Sequence, residues 1–488
     1  MNRALLRLSL ACLAMFVLLL LNVNYVQAFK SSSLATKSGN VRVFDQQFQY
    51  QRGSIKAGNT TIAGSRPIKK GGSTYQRFYP DGPAYAPVTG YDSIYGATGL
   101  EAAENKELAG TDPRLAVHNL ISLITGKPRL GGTVYTTLSP VAQQAAYAAL
   151  KAQGHDAAAV AIDPRTGKIL ALASFPTYNP NRYTTLSGTR LNKIDAAYRK
   201  DKSQPLLNRA TQVTFPPGSS FKVITSSAAL TTGTVASPQS PVDAPTSLTL
   251  PGSDKPLIND GGEVCGDGHP PLIFAFTLSC NTAFGELGIK LKSRTLRDYA
   301  NRFGFNNSSL NVPIPVAASV FPQVSDPAFT AYSAIGQYND QVTPFEEAMI
   351  AATIANKGTL MTPYLVKQIQ APDLSTIANT TPKVLSQAIA PNIAADLTTM
   401  MISVTQNPSG TAYATANQNV AGVEIAGKTG TAQNGINNSG LNDAVFTCFA
   451  PANNPQIAVG VIVKGGGFGA DAAAPIAVKI IRAYLGIK

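Results

Sequence analysis

The chain has 488 residues and is basic, with 40 Lys+Arg against 27 Asp+Glu and a net charge of +13. Its lysines and arginines are spread out rather than packed into one run, so the charge suits an anionic lipid surface, a cell wall or solubility alone, and nucleic acid is not an expected partner. The three histidines, His118, His155 and His269, are dispersed without metal-ligand spacing, and no phosphate-cradling glycine loop occurs, so neither a metal nor a cofactor is expected.

From the N-terminus, Leu8–Phe29 carries no charge and follows Arg3 and Arg7, which predicts a membrane helix held with its N-terminus inside. A cleaved signal peptide is the competing reading, with Leu8–Leu21 as its apolar core and Val26-Gln27-Ala28 as the cleavage site. Either way the bulk of the chain is exported. Lys30–Asn40 is polar and serine-rich and reads as a tether. Val41 to about Ala152 carries short apolar runs broken by Gly, Pro and Tyr, which predicts a strand-rich module closed by a helix over Leu138–Ala152, with Ser139 as N-cap and Pro140 at the first position.

From about Gly154 onward, strand-like runs at Ala157–Ile162, Ile169–Ser174, Gly422–Ala432, Ala444–Ala450 and Ile457–Lys464 bracket helical stretches. Thr343-Pro344-Phe345-Glu346 reads as a capping box, and Lys357-Gly358 ends the same helix. A last helix is expected at Ala474–Leu485, after Gly465–Gly467. Strands first and last with helices between predict an α+β domain, one antiparallel sheet covered by helices. The expected division is 1–29 anchor, 30–153 N-terminal pedestal or dimerisation-like domain, and 154–488 second domain.

Three short motifs then fall in order: Ser219-Ser220-Phe221-Lys222, Ser279-Cys280-Asn281 and Lys428-Thr429-Gly430-Thr431. Each alone is weak. Lys37-Ser38-Gly39, Ser38-Gly39-Asn40 and Ser309-Leu310-Asn311 mimic the second and third motifs and read as linker or loop residues. Ser219–Lys222, however, is the single S-x-x-K of the chain, lying after Pro216-Pro217-Gly218 and opening the apolar run Phe221–Leu230. That context predicts a buried helix starting near Ser219, whose free N–H groups favour negative charge on an attacking oxygen or an oxyanion. One helical turn brings the Lys222 amine to the Ser219 hydroxyl. A serine needs such a base, and a buried lysine beside a second cation, here Lys428, loses its proton readily.

The Ser279 hydroxyl could relay a proton, and Asn281 could hold Lys222 and a substrate amide. Lys428, Thr429 and Thr431 would hold a carboxylate, with the Thr431 N–H as second oxyanion donor. Gly430, without a side chain, would let a substrate backbone lie against the strand. The bland alternative makes Ser219 an ordinary N-cap, Lys222 a solvated first-turn residue and Lys428-Thr429-Gly430 a strand end. Of the cysteines, Cys12 lies in the anchor and Cys448 reads as a core thiol. Cys265 and Cys280 flank Gly266–Pro271 and are expected to pair, pinning the second motif, with two free buried thiols as the alternative.

These motifs form the nucleophile set of penicillin-binding proteins and serine β-lactamases. The chain resembles the class B, monofunctional penicillin-binding proteins, and most the penicillin-binding protein A type of actinobacteria. Further landmarks carry the likeness: Arg52-Gly53-Ser54-Ile55, Gly99-Leu100-Glu101 with Leu108-Ala109-Gly110, the hairpin Val160–Ser174, Asn208-Arg209-Ala210, Gly336-Gln337 before Thr343-Pro344, and Ile354-Ala355-Asn356-Lys357-Gly358. Two departures are Tyr338-Asn339-Asp340 after Gly336-Gln337, where another glycine is common, and Cys280 inside S-x-N.

The resemblance implies a serine penicillin-recognising transpeptidase domain over 154–488, preceded by an uncleaved single-pass anchor that leaves it outside the cytoplasm. The implied activity is D,D-transpeptidation, cross-linking peptidoglycan stem peptides ending in D-Ala-D-Ala through a Ser219 acyl-enzyme, in cell division or shape. β-Lactam antibiotics would acylate the same serine, and a glycosyltransferase or divisome partner would dock on the pedestal. A β-lactamase or D,D-carboxypeptidase, or a β-lactam-sensing receptor, is the alternative.

Overall fold

A computed structural model describes residues 3–30, 33–34, 48–70, 73–115, 129–310, 312–417, 420, 422–433 and 440–487. Most of the expected tether Lys30–Asn40, the look-alike motifs at Lys37–Asn40, the start of the first module at Val41, His118, Asn311 and Asn434-Gly435 lie outside the described residues. Helix α1 (Arg3–Tyr25) runs into a π-helical turn, Val26–Lys30. The span Leu5–Lys30, mean hydropathy 2.3, is long and apolar enough to cross a membrane and packs against nothing else described.

Strands β1 (Ile55–Ala57), β2 (Thr60–Lys70), β3 (Ser73–Phe78) and β4 (Thr133–Thr136) precede β5 (Ala157–Ile162) and β6 (Ile169–Phe175). Later come β7 (Val366–Gln370), β8 (Thr376–Asn379), β9 (Ala426–Ala432), β10 (Asp443–Ala450) and β11 (Ile457–Val463). The helices that matter are α2 (Pro140–Gln153), α3 (Lys222–Thr231), α4 (Asn281–Phe303), α5 (Pro344–Ala355), α6 (Pro391–Gln406) and α7 (Gly469–Leu485). One sheet has the order β8-β7-β4-β1-β2-β3, with β1 and β4 parallel and the other neighbours antiparallel. Its strands β7 and β8 come from far beyond residue 154, so the strand-rich module is completed by a hairpin that its own stretch of sequence does not contain.

The second sheet, β9-β10-β11-β5-β6, is antiparallel throughout. Nearly every residue of these strands is buried, as a sheet covered on both faces requires. Helix α5 lies against β11, β10 and β5, while α7 packs on β10, β11 and α2. This is the expected α+β architecture. Helix α2 is capped by Ser139 as its sequence predicts, and it ends at left-handed Gly154. It does not close the first module, however, but packs against β6 and α7 as part of the second domain's cover. The Thr343 cap also forms, its Oγ1 accepting from Glu346 N at 3.0 Å. The reciprocal half of the capping box is missing, because Thr343 N donates to Ser319 Oγ and the Glu346 carboxyl turns inward.

A buried charge cluster ties the first module together. Glu101, fully buried, accepts from Arg52 Nε at 2.7 Å and from Arg77 Nε at 2.6 Å, while Arg52 also donates to the Glu101 carbonyl at 2.7 Å. Burial alone would raise the Glu101 pKa, but the Arg77 and Arg52 charges outweigh it and hold the carboxyl below its ordinary value. Gly53, beside Arg52, is obligatory because any Cβ there would overlap the Gly132 carbonyl. Replacing Glu101 by alanine leaves the buried Arg77 guanidinium without a carboxylate partner and Arg52 with Asp92 alone, at 3.6 Å, and is predicted to cost about 3–5 kcal/mol of the first module's stability. A urea titration followed by circular dichroism checks this. A loss under about 1 kcal/mol, the worth of an exposed pair, would reject it. The wild-type contribution should be complete above the unfolded carboxylate pKa and vanish as pH falls through the lower folded value.

Candidate active site

Pro216-Pro217-Gly218 ends the preceding segment, and Ser219 sits in a 3-10 turn, Gly218–Phe221, that feeds α3. The α-helix proper therefore begins at Lys222 rather than at Ser219. Gly218 holds φ +56°, and a Cβ there would lie 2.7 Å from the Thr431 carbonyl, so the serine turn abuts β9. On its other side, any side chain on Gly336 would run into the Gly218 backbone. Gly430 serves the same contact: its Cβ would meet the Pro217 carbonyl at 2.6 Å and Ser220 N at 3.3 Å. The vacant side-chain position of Gly430 thus admits the serine turn, a role its sequence did not reveal.

Lys222 and Lys428 are both fully buried, which removes the reading of a solvated lysine and a loose strand end. Lys222 Nζ donates to the Ser279 carbonyl at 2.7 Å, Asn281 Oδ1 at 2.7 Å and Ser279 Oγ at 3.2 Å. Lys428 Nζ, coming from β9, donates to the same Ser279 Oγ at 2.9 Å and to the Thr429 carbonyl at 3.0 Å. One hydroxyl therefore bridges two amines. Ser279 reaches it from a left-handed conformation, φ +63°, unusual for serine and held by the turn between Leu272–Thr277 and α4. Ser219 itself is half-buried, and its Oγ makes no hydrogen bond among the described residues. Lys222 is committed to the Ser279-Asn281 motif rather than to the serine one turn before it.

Burial lowers the pKa of both lysines. Lys428 is brought to about 7, with the Asp260 carboxylate offsetting part of the effect. Lys222 falls well below its ordinary value, by burial and then by the charge of Lys428, again eased by Asp260. Of the pair, Lys222 is the one biased toward the neutral amine, because the charge of Lys428 adds to its burial. Asp260, which hydrogen-bonds Asn281 Nδ2 at 3.3 Å, was not visible as a site residue in the sequence, because an acid in a glycine-rich loop reads as a turn. Thr429 Oγ1 lies 2.6 Å from Thr411 Oγ1, and Thr431 offers its carbonyl to Gln337 Nε2 at 3.5 Å.

Under the serine turn lies a second group that sequence reasoning missed. Ser220 Oγ is 2.6 Å from Glu347 Oε1 and 2.9 Å from the Pro217 carbonyl, and Glu347 is fully buried on α5. Of the departing residues, Tyr338 stacks on Phe329 with centroids 4.5 Å apart, and Asp340 is buried with its pKa held well above the carboxylate range. Cys280 is bonded to Cys265, Cα to Cα 6.0 Å, and stands at the N-cap of α4, whereas Cys12 and Cys448 are free. No cluster with metal-ligating potential occurs among the described residues.

A sheet carrying one buried lysine at its edge, facing a serine in the turn that opens a helix and a second buried lysine on that helix, defines the serine penicillin-recognising class of acyl-transfer proteins. Residues 157–482 match the penicillin binding protein transpeptidase domain, and residues 52–134 match the penicillin binding protein A dimerisation domain. The chain belongs to the penicillin-binding protein transpeptidase family, in its class B branch. It is 41% identical over 500 residues to the peptidoglycan D,D-transpeptidase PbpA of Mycolicibacterium smegmatis, covering 99% of each chain. It is 39% identical over 497 residues to the protein of the same name from Mycobacterium tuberculosis, again over 99% of each. The solved penicillin-binding protein A of M. tuberculosis, as its ceftriaxone acyl-enzyme complex, superposes with a TM-score of 0.86 at 38% identity, over 90% of this chain and all of that one.

The crosslink closes a loop with sequence separation 15, so its reduction is predicted to lower unfolding free energy by about 3 kcal/mol. Parallel urea titrations with and without dithiothreitol measure the loss. Because the loop ends on Ser279 and Asn281, the reduced protein should also react more slowly with a fluorescent penicillin. Unchanged stability and rate would remove the crosslink from the site's support.

Proposed function

We propose that this chain is an anchored peptidoglycan D,D-transpeptidase working through a Ser219 acyl-enzyme. One observation carries the reading: two buried lysines, made unlike by burial and mutual repulsion, converge on Ser279 Oγ beside the serine turn. The substrate would be a stem peptide ending in D-Ala-D-Ala, its terminal carboxylate held by Lys428, Thr429 and Thr431. As the Ser219 Oγ–carbonyl bond forms, the neutral Lys222 amine takes the hydroxyl proton, and the oxyanion is met by the backbone N–H groups of Ser219 and Thr431. The amide C–N bond then breaks, the leaving amine gaining a proton relayed through Ser279, and terminal D-Ala departs. An amine of a neighbouring stem attacks the ester, its N–H proton passes by way of the neutral Lys222 amine to Ser219 Oγ as the C–O bond breaks, and the crosslink is complete. β-Lactams enter as mimics of the dipeptide and stay on the serine.

Arg3 and Arg7 before an apolar span support an anchor with the catalytic domain outside the cytoplasm. The match of residues 52–134 to the penicillin binding protein A dimerisation domain supports a docking role for this module, toward a glycosyltransferase or another component of the division machinery.

Intact mass of the full-length protein in detergent, incubated briefly with penicillin and followed over hours, tests the chemistry. Wild type should gain one drug mass and keep it, and Ser219→Ala should gain none. Labelling of Ser219→Ala would sink the assignment, and an adduct lost within seconds would turn it into a hydrolase. Lys222→Ala should slow acylation by about 10²–10⁴-fold. Since Lys428 carries its charge below about 7 and loses it above, acylation by anionic penicillin should fall as pH rises through that value. Lys428→Arg, which stays charged, should flatten that limb. A profile identical in the two proteins would show that Lys428 does not set it.

A further inference from the structure

Glu347 has no role in the chemistry above, and its surroundings are unusual for an acid. Its side chain is fully buried, Oε2 has no hydrogen-bond partner, and burial pushes its pKa up to about 8 against the partial offset of the Ser220 hydrogen bond. Its neighbour Glu346 is equally buried, lies against Gly304, and is itself raised by burial and by Glu347. Among the described residues no cation forms an ion pair with Glu347.

Counting protons at Ser220 decides what Glu347 must be. Ser220 Oγ stands within hydrogen-bond distance of two oxygens, Glu347 Oε1 at 2.6 Å and the Pro217 carbonyl at 2.9 Å, yet a serine hydroxyl has one proton to give. A backbone carbonyl can only accept, so the Ser220 proton belongs on Pro217, and the short contact to Glu347 needs a proton from the acid. We propose that Glu347 is a positioning residue held as the neutral carboxylic acid, donating through Ser220 to the Pro217 carbonyl and so fixing the turn that presents Ser219. The proposal rests on reading Ser219 as the nucleophile.

The chain of bonds ends where it matters. The Pro217 carbonyl is the atom wedged against Gly430 of β9, and the next residue, left-handed Gly218, donates its N–H to the Gly336 carbonyl at 2.8 Å. Glu347 in turn is anchored to the sheet, its own carbonyl accepting from Thr447 Oγ1 of β10 at 2.6 Å. A rigid line thus runs from the central strands through α5 to the peptide just before Ser219. Loss of the donor frees that peptide to rotate, and displacements near 1 Å at a nucleophile cost about 10²-fold in rate.

The test uses the full-length protein in detergent and its second-order rate of acylation by fluorescent penicillin. Glu347→Leu keeps bulk and removes the donor, and it should slow acylation by about 10- to 100-fold while still reaching one label per chain. Ser220→Ala should slow it comparably, with the double variant no slower than the slower single one. Glu347→Gln, which can still donate, should restore the rate to within about 3-fold. Infrared difference spectra of wild type against Glu347→Gln at neutral pH should show a protonated-carboxyl C=O stretch. A Glu347→Leu or Ser220→Ala protein that reacts at the wild-type rate, or a carboxylate band in place of the acid band, would overturn the proposal. Should Glu347→Leu fail to fold, Ser220→Ala and the infrared band decide. Loss of labelling stoichiometry on Ser219→Ala tests the nucleophile separately, since Glu347 variants alter rate and not endpoint.

Discussion

Everything at the site depends on two lysines being denied water. An ammonium leaves water at a cost of several kcal/mol unless it is paired, and neither Lys222 nor Lys428 has a carboxylate in contact among the described residues. The protein surrounds both with carbonyl, amide and hydroxyl oxygens, and the charge of Lys428 adds to burial in biasing Lys222 toward its neutral form. In the proposed mechanism Lys222 then serves as a base without any histidine, and Lys428 holds the substrate carboxylate. Asp260, more remote and exposed to solvent, limits how far both shift. The aromatic faces of Phe284 and Phe276, 5.4 Å and 5.6 Å from the two amines, close the compartment while still attracting a cation.

Such an arrangement tolerates little movement, and the backbone around it is correspondingly crowded. Gly218, Gly336 and Gly430 meet with main chain against main chain, leaving no volume for a Cβ at any of the three. Strand β9, the serine turn and the Gly336 loop therefore shift together or not at all. Ser279 is fixed from the opposite side by its strained φ, by the Cys265–Cys280 crosslink and by the start of α4. Glu347 on α5 supports the serine turn from beneath, where an apolar residue would fill space without orienting the Pro217 carbonyl.

Much of this was legible in the sequence because local rules govern it. The strands of the second sheet lie within a few residues of their predicted limits, since four of the five are largely apolar runs, and β9, which carries Lys428, Thr429 and Thr431, continues from the mostly apolar Val423–Ala426 stretch. Three short motifs named the site because their order, and not any one of them, is improbable. What escaped prediction was long-range. Nothing local tells that Val366–Gln370 will pair with Thr133–Thr136, or that α2 will lie on the second sheet. Glu346 misled by its position: three residues after Thr343 it fits a capping box, yet tertiary packing drew its carboxyl into the core. Glu347, next along the same helical start, is among the most buried groups of the domain, and no local pattern in the sequence marks it as such.

The acids and the lysines follow one rule. Charged side chains are excluded from a dry core unless paired, so each of these groups persists there by giving up its charge or by transferring it to a polar contact. In Lys222 the neutral form is the reactive one, an amine able to accept a proton. In Glu347 the neutral form is the structural one, an acid able to donate a hydrogen bond that a carboxylate cannot make. The serine between them is thus served from two sides by groups whose ionisation burial has reversed. A surface copy of the same three motifs, with water free to reach them, would keep the spacing and lose the chemistry.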